Sequence, residues 1–334
     1  MIIKAGRGMT TMRSIAAAAL SAVAAVSLTV AAPGVAAAED DDLPVPWTIG
    51  AGVAAQAAAP DSPPPGSNDW SCEPGEDHPN PVVLVHGLIA NRTVNWQTFS
   101  PLLANEGYCV FALTYGVTDL NSALPLYQPG GMTTMQDSAA ELEAFVDRVL
   151  DATGANKVDL LGHSEGTIMP AWYVTKLGGE AVVDKYVSLT PLWEGTNPAG
   201  LATLYQTAER LGLDSAVDGV VGTACASCTQ FLMGSDYFAE LNEAGMFSPD
   251  VEYTNIVTRY DELIVPYTSG TAEGPNITNH VLQETCPTDF AEHGAVMADP
   301  VAAGHVLNAL DPANSRPVPC TVVTPLGAEP PPEW

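Results

Sequence analysis

Positive charge is scarce in this chain. Its 334 residues include 11 Lys and Arg against 39 Asp and Glu, a formal net charge of −28. Such a surface repels nucleic acid and anionic lipid head groups, so no nucleic-acid partner is expected. Long apolar runs are equally scarce. Only residues 14–32, "SIAAAALSAVAAVSLTVAA", approach the length needed to span a bilayer. No internal repeat is visible. Metal patterns are missing too: Cys225 and Cys228 form one C-x-x-C, "CASC", with no second C-x-x-C or H-x-x-x-H to complete a zinc site and no thioredoxin-like order around it. No D-x-[DN]-x-[DN]-G calcium loop occurs. No motif therefore points to a resident metal ion, although so acidic a surface could bind calcium loosely.

The single apolar run follows Lys4, Arg7 and Arg13 and precedes "GVAAAEDDD", a small-residue site with acids behind it. This pattern predicts a secretory leader, residues 1–38, cut near Ala38, and hence an extracellular protein. A transmembrane anchor is the alternative; the Ala-rich, weakly apolar run and its A-x-A ending favour cleavage. Met9 or Met12 are alternative starts. Loss of the leader removes three basic residues and no acid, moving the charge from −28 to −31. All six cysteines lie beyond it, an even count that suggests disulfides in an exported chain. Cys225–Cys228 reads as a local bridge. Six cysteines allow fifteen connectivities, which the sequence leaves open; Cys72–Cys109 and Cys286–Cys320 are the expected pairs among them, from their similar places flanking predicted strands. Residues 39–70, rich in Ala, Pro, Asp and Ser, have no helical or strand period and read as an extended linker. A single domain over residues 71–325, expected to be monomeric, remains.

Within that domain strands and helices alternate. "PVVLVHG" (81–87), "YCVFALTYG" (108–116), "KVDLLGHS" (157–164), "VVDKYVSLTP" (182–191), "VEYTNIVTRY" (251–260) and "NHVLQETC" (279–286) read as strands. Helices are predicted between them, among them residues 134–153, with Leu142, Phe145, Val146, Val149 and Leu150 at helical spacing and Gly154 as the C-cap. A last helix covers residues 299–312. This order implies a mostly parallel sheet with helices on both faces. Residues 192–250 break the rhythm and read as a helical cap inserted over the C-terminal edge of the sheet. "NRT" at Asn91 and "NIT" at Asn276 match the glycosylation pattern.

"DLLGHSEGT" (159–167) carries the chemistry. Gly162, Ser164 and Gly166 form a G-x-S-x-G at a predicted strand-to-helix junction. A serine on so sharp a turn needs flanking glycines, and the helix N-terminus behind it aims N–H groups at a developing oxyanion. Glu165 would contribute its backbone N–H, its side chain pointing away toward a hydrogen-bonding group. Leu88, after Gly87 in "HGLIA", is the candidate second donor. A serine nucleophile on this architecture takes its acid and then its base from later in the chain. His293, in the loop "DFAEHGAVMAD", is the candidate base and His280 the alternative. His305 lies within the last helix, where packing explains it. Asp261, where the strand 251–260 ends, is the candidate acid, with Glu262 as its neighbour and alternative. His86 and His163 lie too close to the loop and the turn to serve as base, and are expected to pack and hydrogen-bond there.

The stretches "VLDATGANKVDLLGHSEG", "PVVLVHG", "YTNIVTRYDELIVPY" and "HGAV…DPVAAGHVLNALDP" together resemble secreted bacterial triacylglycerol lipases of the α/β-hydrolase superfamily, above all the actinobacterial lipase class 2 group. The resemblance spans residues 78–322 and includes the "CASC" insertion. It implies an α/β-hydrolase fold, hydrolysis of acyl-glycerol esters, contact with a lipid–water interface, and no cofactor. It also implies Ser164 as nucleophile, Asp261 as acid, His293 as base, and Leu88 and Glu165 N–H as oxyanion hole. Position 165 departs from the pattern, being uncharged in many related lipases. A short-chain carboxylesterase, or a polyester or thioester hydrolase, would use the same triad. A non-catalytic binding protein on this fold would be expected to lack one of the three.

Overall fold

The computed structural model describes residues 42–119, 128–210, 219 and 221–331. The predicted leader lies outside the described residues. Six strands, β1 (Val82–Val85), β2 (Val110–Ala112), β3 (Val158–His163), β4 (Val183–Leu189), β5 (Glu252–Val257) and β6 (Ile277–Val281), form a six-stranded, fully parallel sheet in the order β2-β1-β3-β4-β5-β6. The described helices are α1 (Gly50–Ala58), α2 (Arg92–Asn95), α3 (Phe99–Asn105), α4 (Met135–Thr153), α5 (Glu165–Lys176), α6 (Leu201–Arg210), α7 (Asp236–Ala244), α8 (Leu282–Thr285) and α9 (Pro300–Leu310).

Apolar residues on both faces of each central strand explain the layering, because a parallel sheet must be covered twice. Val83, Val85 and Leu160 pack with Leu142, Val146 and Val149 of α4 and Ile168 and Val174 of α5. Val82, Leu84 and Leu161, one residue out of phase, pack with Phe99 and Leu103 of α3 and Val301 and Val306 of α9. Period-2 alternation thus sends neighbours into separate cores. Helix α4 begins where the Thr134 side chain accepts from Asp137 N–H and ends at Gly154, left-handed at φ 69°. Between β4 and β5 the described residues hold α6, α7 and short 3₁₀ turns, but no strand.

Two expectations require correction. Residues 42–70 are not an extended linker: they belong to the same compact unit as the sheet. Trp47 is buried, and Trp70 packs on Phe111 and Phe145 beneath the Arg148 guanidinium. Asn68 acts as a strand substitute at the sheet edge, its amide donating to Ala112 O and accepting from Ala112 N–H. Leu43 exchanges two hydrogen bonds with the Asn105 amide. A Pro-rich segment can dock without a ladder when side-chain amides satisfy its backbone. The last strand also lies earlier than expected. β6 covers Ile277–Val281, with His280 near its end, and the chain then coils into α8. That turn delivers buried Cys286 to its partner.

Three disulfides, Cys72–Cys109, Cys225–Cys228 and Cys286–Cys320, join the pairs expected from the sequence. The two glycosylation matches are occupied otherwise. Asn91 is buried, caps α2 and donates to Gln56; Asn276 donates to the Ser248 and Val251 carbonyls.

Candidate active site

The strand order reverses between β1 and β3, and an open parallel sheet offers its binding crevice at that point, beyond the carboxyl ends of the strands. Gly87 and Leu88 follow β1, and Ser164 follows β3. Ser164 is held at φ 56°, ψ −124°, a strained conformation for a residue with a side chain. The glycines on either side permit it. A Cβ on Gly162 would stand 2.0 Å from Gly166 O, and one on Gly166 would stand 2.1 Å from Val85 O. The helix and two strands therefore meet at backbone contact, and the serine is forced out of the turn.

Ser164 Oγ lies 2.8 Å from His293 Nε2, and His293 Nδ1–H donates to Asp261 at 2.9–3.0 Å. The side chains of Asp261 and His293 are 2% and 6% exposed. Asp261 Oδ1 also accepts the N–H groups of Leu263 and Ile264, which pins the carboxylate four residues beyond β5. Glu262, the alternative acid, accepts the backbone N–H of His293 and so holds the loop rather than the ring. Glu292 secures the same loop by accepting from Gly294 and Ala295 N–H. His280, the alternative base, is elsewhere: its ring stacks on His305 at 4.0 Å, and His305 Nε2 meets Thr285 Oγ1 at 2.8 Å.

The N–H groups of Leu88 and Glu165 donate to no acceptor among the described residues, and both residues line the pocket with Ser164. The loop that carries Leu88 is built with care. His86 Nδ1–H donates to Gly87 O at 2.8 Å, while its Nε2 accepts from Tyr115 N–H. Within one trans peptide the C=O and N–H point opposite ways, so fixing the Gly87 carbonyl on His86 fixes where Leu88 N–H aims. Burial drives His86 down to about 4, so the ring is neutral as this pattern requires. The next residue, Ile89, has φ 55°, a strained value for a β-branched side chain.

His163 and Asn95 tie these pieces together. His163 Nε2 lies 3.1 Å from His293 O, and its Nδ1 lies 3.1 Å from Asn95 Oδ1, which also accepts Gly87 N–H. Burial holds the His163 imidazole down to about 3. Nothing in the sequence marks Asn95, one polar residue in a predicted helix, as the link between the loop at Gly87 and His163.

The Glu165 side chain departs from expectation. Its carboxyl is buried with neither oxygen hydrogen-bonded among the described residues, not turned toward a polar partner. The pocket above Ser164 holds about 400 Å³ and is walled by Leu88, Val94, Leu192, Phe231, Ile264 and Met297. Exposed Ile89 and Leu263 stand at its lining, and exposed Leu201 and Leu204 lie on α6 just beyond Pro198.

Over 116 residues the chain is 33% identical to a triacylglycerol lipase of Pseudarthrobacter phenanthrenivorans, covering 33% of each. It is also 33% identical to a triacylglycerol lipase of Burkholderia plantarii, covering 33% of this chain and 29% of that one. The chain thus spans a third or less of the length of these curated relatives. Its fold matches the crystal structure of Aspergillus fumigatus lipase B with a TM-score of 0.54 at 18% identity, over 77% of this chain and 56% of that one. The model of the lipase (class 2) family matches residues 79–305, more than half of the sequence, and the chain belongs to that family, on an α/β-hydrolase fold.

Proposed function

We propose that this protein is a secreted serine hydrolase that cleaves acyl-glycerol and related carboxylic esters through an acyl-enzyme. The observation that carries the reading is the continuous chain from Ser164 Oγ through His293 to Asp261 at the floor of an apolar pocket. His293 Nε2 takes the Ser164 proton as Oγ attacks the ester carbonyl. Asp261 keeps the Nδ1–H tautomer in place and stabilises the imidazolium that forms. The N–H groups of Leu88 and Glu165 receive the negative oxygen of the tetrahedral intermediate. His293 then protonates the departing alcohol, and a water activated by the same ring releases the acid.

The apolar pocket supports an acyl chain as the bound group. The exposed Ile89, Leu201, Leu204 and Leu263 support approach to a lipid–water interface. With a net charge of −28, that interface would be neutral rather than anionic. The three disulfides are in keeping with export.

Hydrolysis of p-nitrophenyl esters with short to long acyl chains, run beside Ser164→Ala, tests the assignment. Activity should fall by about 10⁴-fold or more in the variant. Preference for long chains presented as emulsions supports a lipase, and preference for short soluble esters a carboxylesterase. No hydrolysis of any ester by the folded, disulfide-bonded protein overturns the proposal.

A further inference from the structure

The side chain of Glu165 has no part in the mechanism above, although its backbone N–H does. It is 1% exposed, and neither carboxyl oxygen has a hydrogen-bond partner among the described residues. The carboxyl reaches Gly131, left-handed at φ 72°. A Cβ on Gly131 would stand 2.8 Å from Glu165 Oε2 and 3.2 Å from Leu88 Cα. The carboxyl and the oxyanion loop therefore share one wall.

That wall is fixed on every side. Gly131 donates to Tyr115 O, and its carbonyl is engaged by Ser227 Oγ–H in the Cys225–Cys228 loop. Gly130 accepts from Ile89 N–H and donates to Ala90 O, which stitches the same segment to the residues after Leu88. Among the described residues the ionisable groups facing the carboxyl are Tyr115 and Tyr237, with Glu141 and Glu240 beyond them and His86 across the Gly130–Gly131 turn. None of these is a cation at neutral pH. An unpaired carboxylate in such a place costs far more than an unpaired neutral acid. Burial accordingly pushes Glu165 well above the usual carboxylate range.

We propose that Glu165 is a positioning residue that supports the oxyanion loop only as the uncharged acid, so that loss of its proton disables the site. The proposal rests on the ester-hydrolase reading. An ionised Glu165 would pull toward solvent through the wall it shares with Leu88. It would also set a negative charge on the residue after the nucleophile, where negative charge develops in the transition state. Both effects act on the transition state, so they fall on kcat and leave KM largely alone.

The test compares the full, disulfide-bonded protein with Glu165→Gln. It measures kcat and KM for ethyl butyrate by pH-stat, and thermal melting without substrate, from mildly acidic to alkaline pH. The wild type should lose kcat at lower pH than the variant, the ratio of variant to wild type growing by up to about tenfold per pH unit past the midpoint, with a flat KM ratio. The melting comparison has a definite sign. A carboxyl raised on folding gives stability fully present below its ordinary value of 4.5 and lost as pH rises through the folded value. The melting temperature of Glu165→Gln minus that of wild type should therefore grow with pH. Glu165→Met, also neutral and of similar length, should show the same trends and serves if the Gln variant does not fold. Hydrolysis with a pH-independent kcat ratio overturns this proposal alone. Absence of hydrolysis in both proteins overturns the ester reading and this proposal with it.

Discussion

The turn beneath Ser164 and the helical insertion above it are built on opposite terms. Below, Gly162 and Gly166 leave no room for a Cβ, Ile168 and Met169 are fully buried, and His163, Asn95 and Gly87 are linked by hydrogen bonds. Above, Leu201 and Leu204 of α6 are 51% and 67% exposed. Groups that move a proton must stay within a fraction of an ångström of the productive geometry. Groups that receive a flexible acyl chain need apolar area and tolerate looseness. On the proposed reading, bond chemistry falls to the backbone-packed turn and capture of the acyl chain to the exposed apolar face of α6.

The largest expected effect comes from breaking the floor chemically. Asp261→Asn should lower kcat by about 10⁴-fold, because the Nδ1–H tautomer of His293 loses its acceptor while the fold is kept. Steady-state kinetics beside a cooperative thermal melt check this. Breaking the floor sterically should show in stability instead. Gly166→Ala places a Cβ against Val85 O and His86 O and should cost about 3 kcal/mol in urea unfolding. Asn95→Ala tests the link between loop and base. It leaves Gly87 N–H without its acceptor and should lower kcat by about 10- to 100-fold with little change in KM. The insertion should behave in reverse. Leu204→Ser should move stability by less than about 0.5 kcal/mol, and should raise KM severalfold for emulsified long-chain esters but not for soluble short ones. An equal rise for both would remove α6 from substrate capture and dissolve the contrast.

The floor was legible in the sequence because its signals are local. Gly162, Ser164 and Gly166 sit within five consecutive residues, at a junction that the β-branched and helical periods announce on either side. Asp261 and His293 could be named by chain order and loop position, and they stand within hydrogen-bonding distance of one another and of Ser164 in turn. The alternatives separated only in space. Glu262 differs from Asp261 by one residue, yet it meets the backbone of His293 rather than the imidazole. His280 lost its claim because β6 faces it toward His305. The docking of residues 42–70 was illegible, since it relies on Asn68 and Asn105 pairing with distant backbone groups rather than on any period.

By itself, the sequence determined the alternation of strands and helices and the serine turn, because hydrophobic period and glycine placement express short-range sterics and burial; the pairing of the six cysteines, open to several connectivities in the sequence, was decided by the fold. Only the tertiary structure decided that Asn95 joins Gly87 to His163 and, through it, to His293, and that the Glu165 carboxyl is enclosed without a partner among the described residues. Burial and hydrogen-bond satisfaction belong to groups brought together from β1, β3, the loop at Gly131 and the insertion, and no local pattern encodes that meeting.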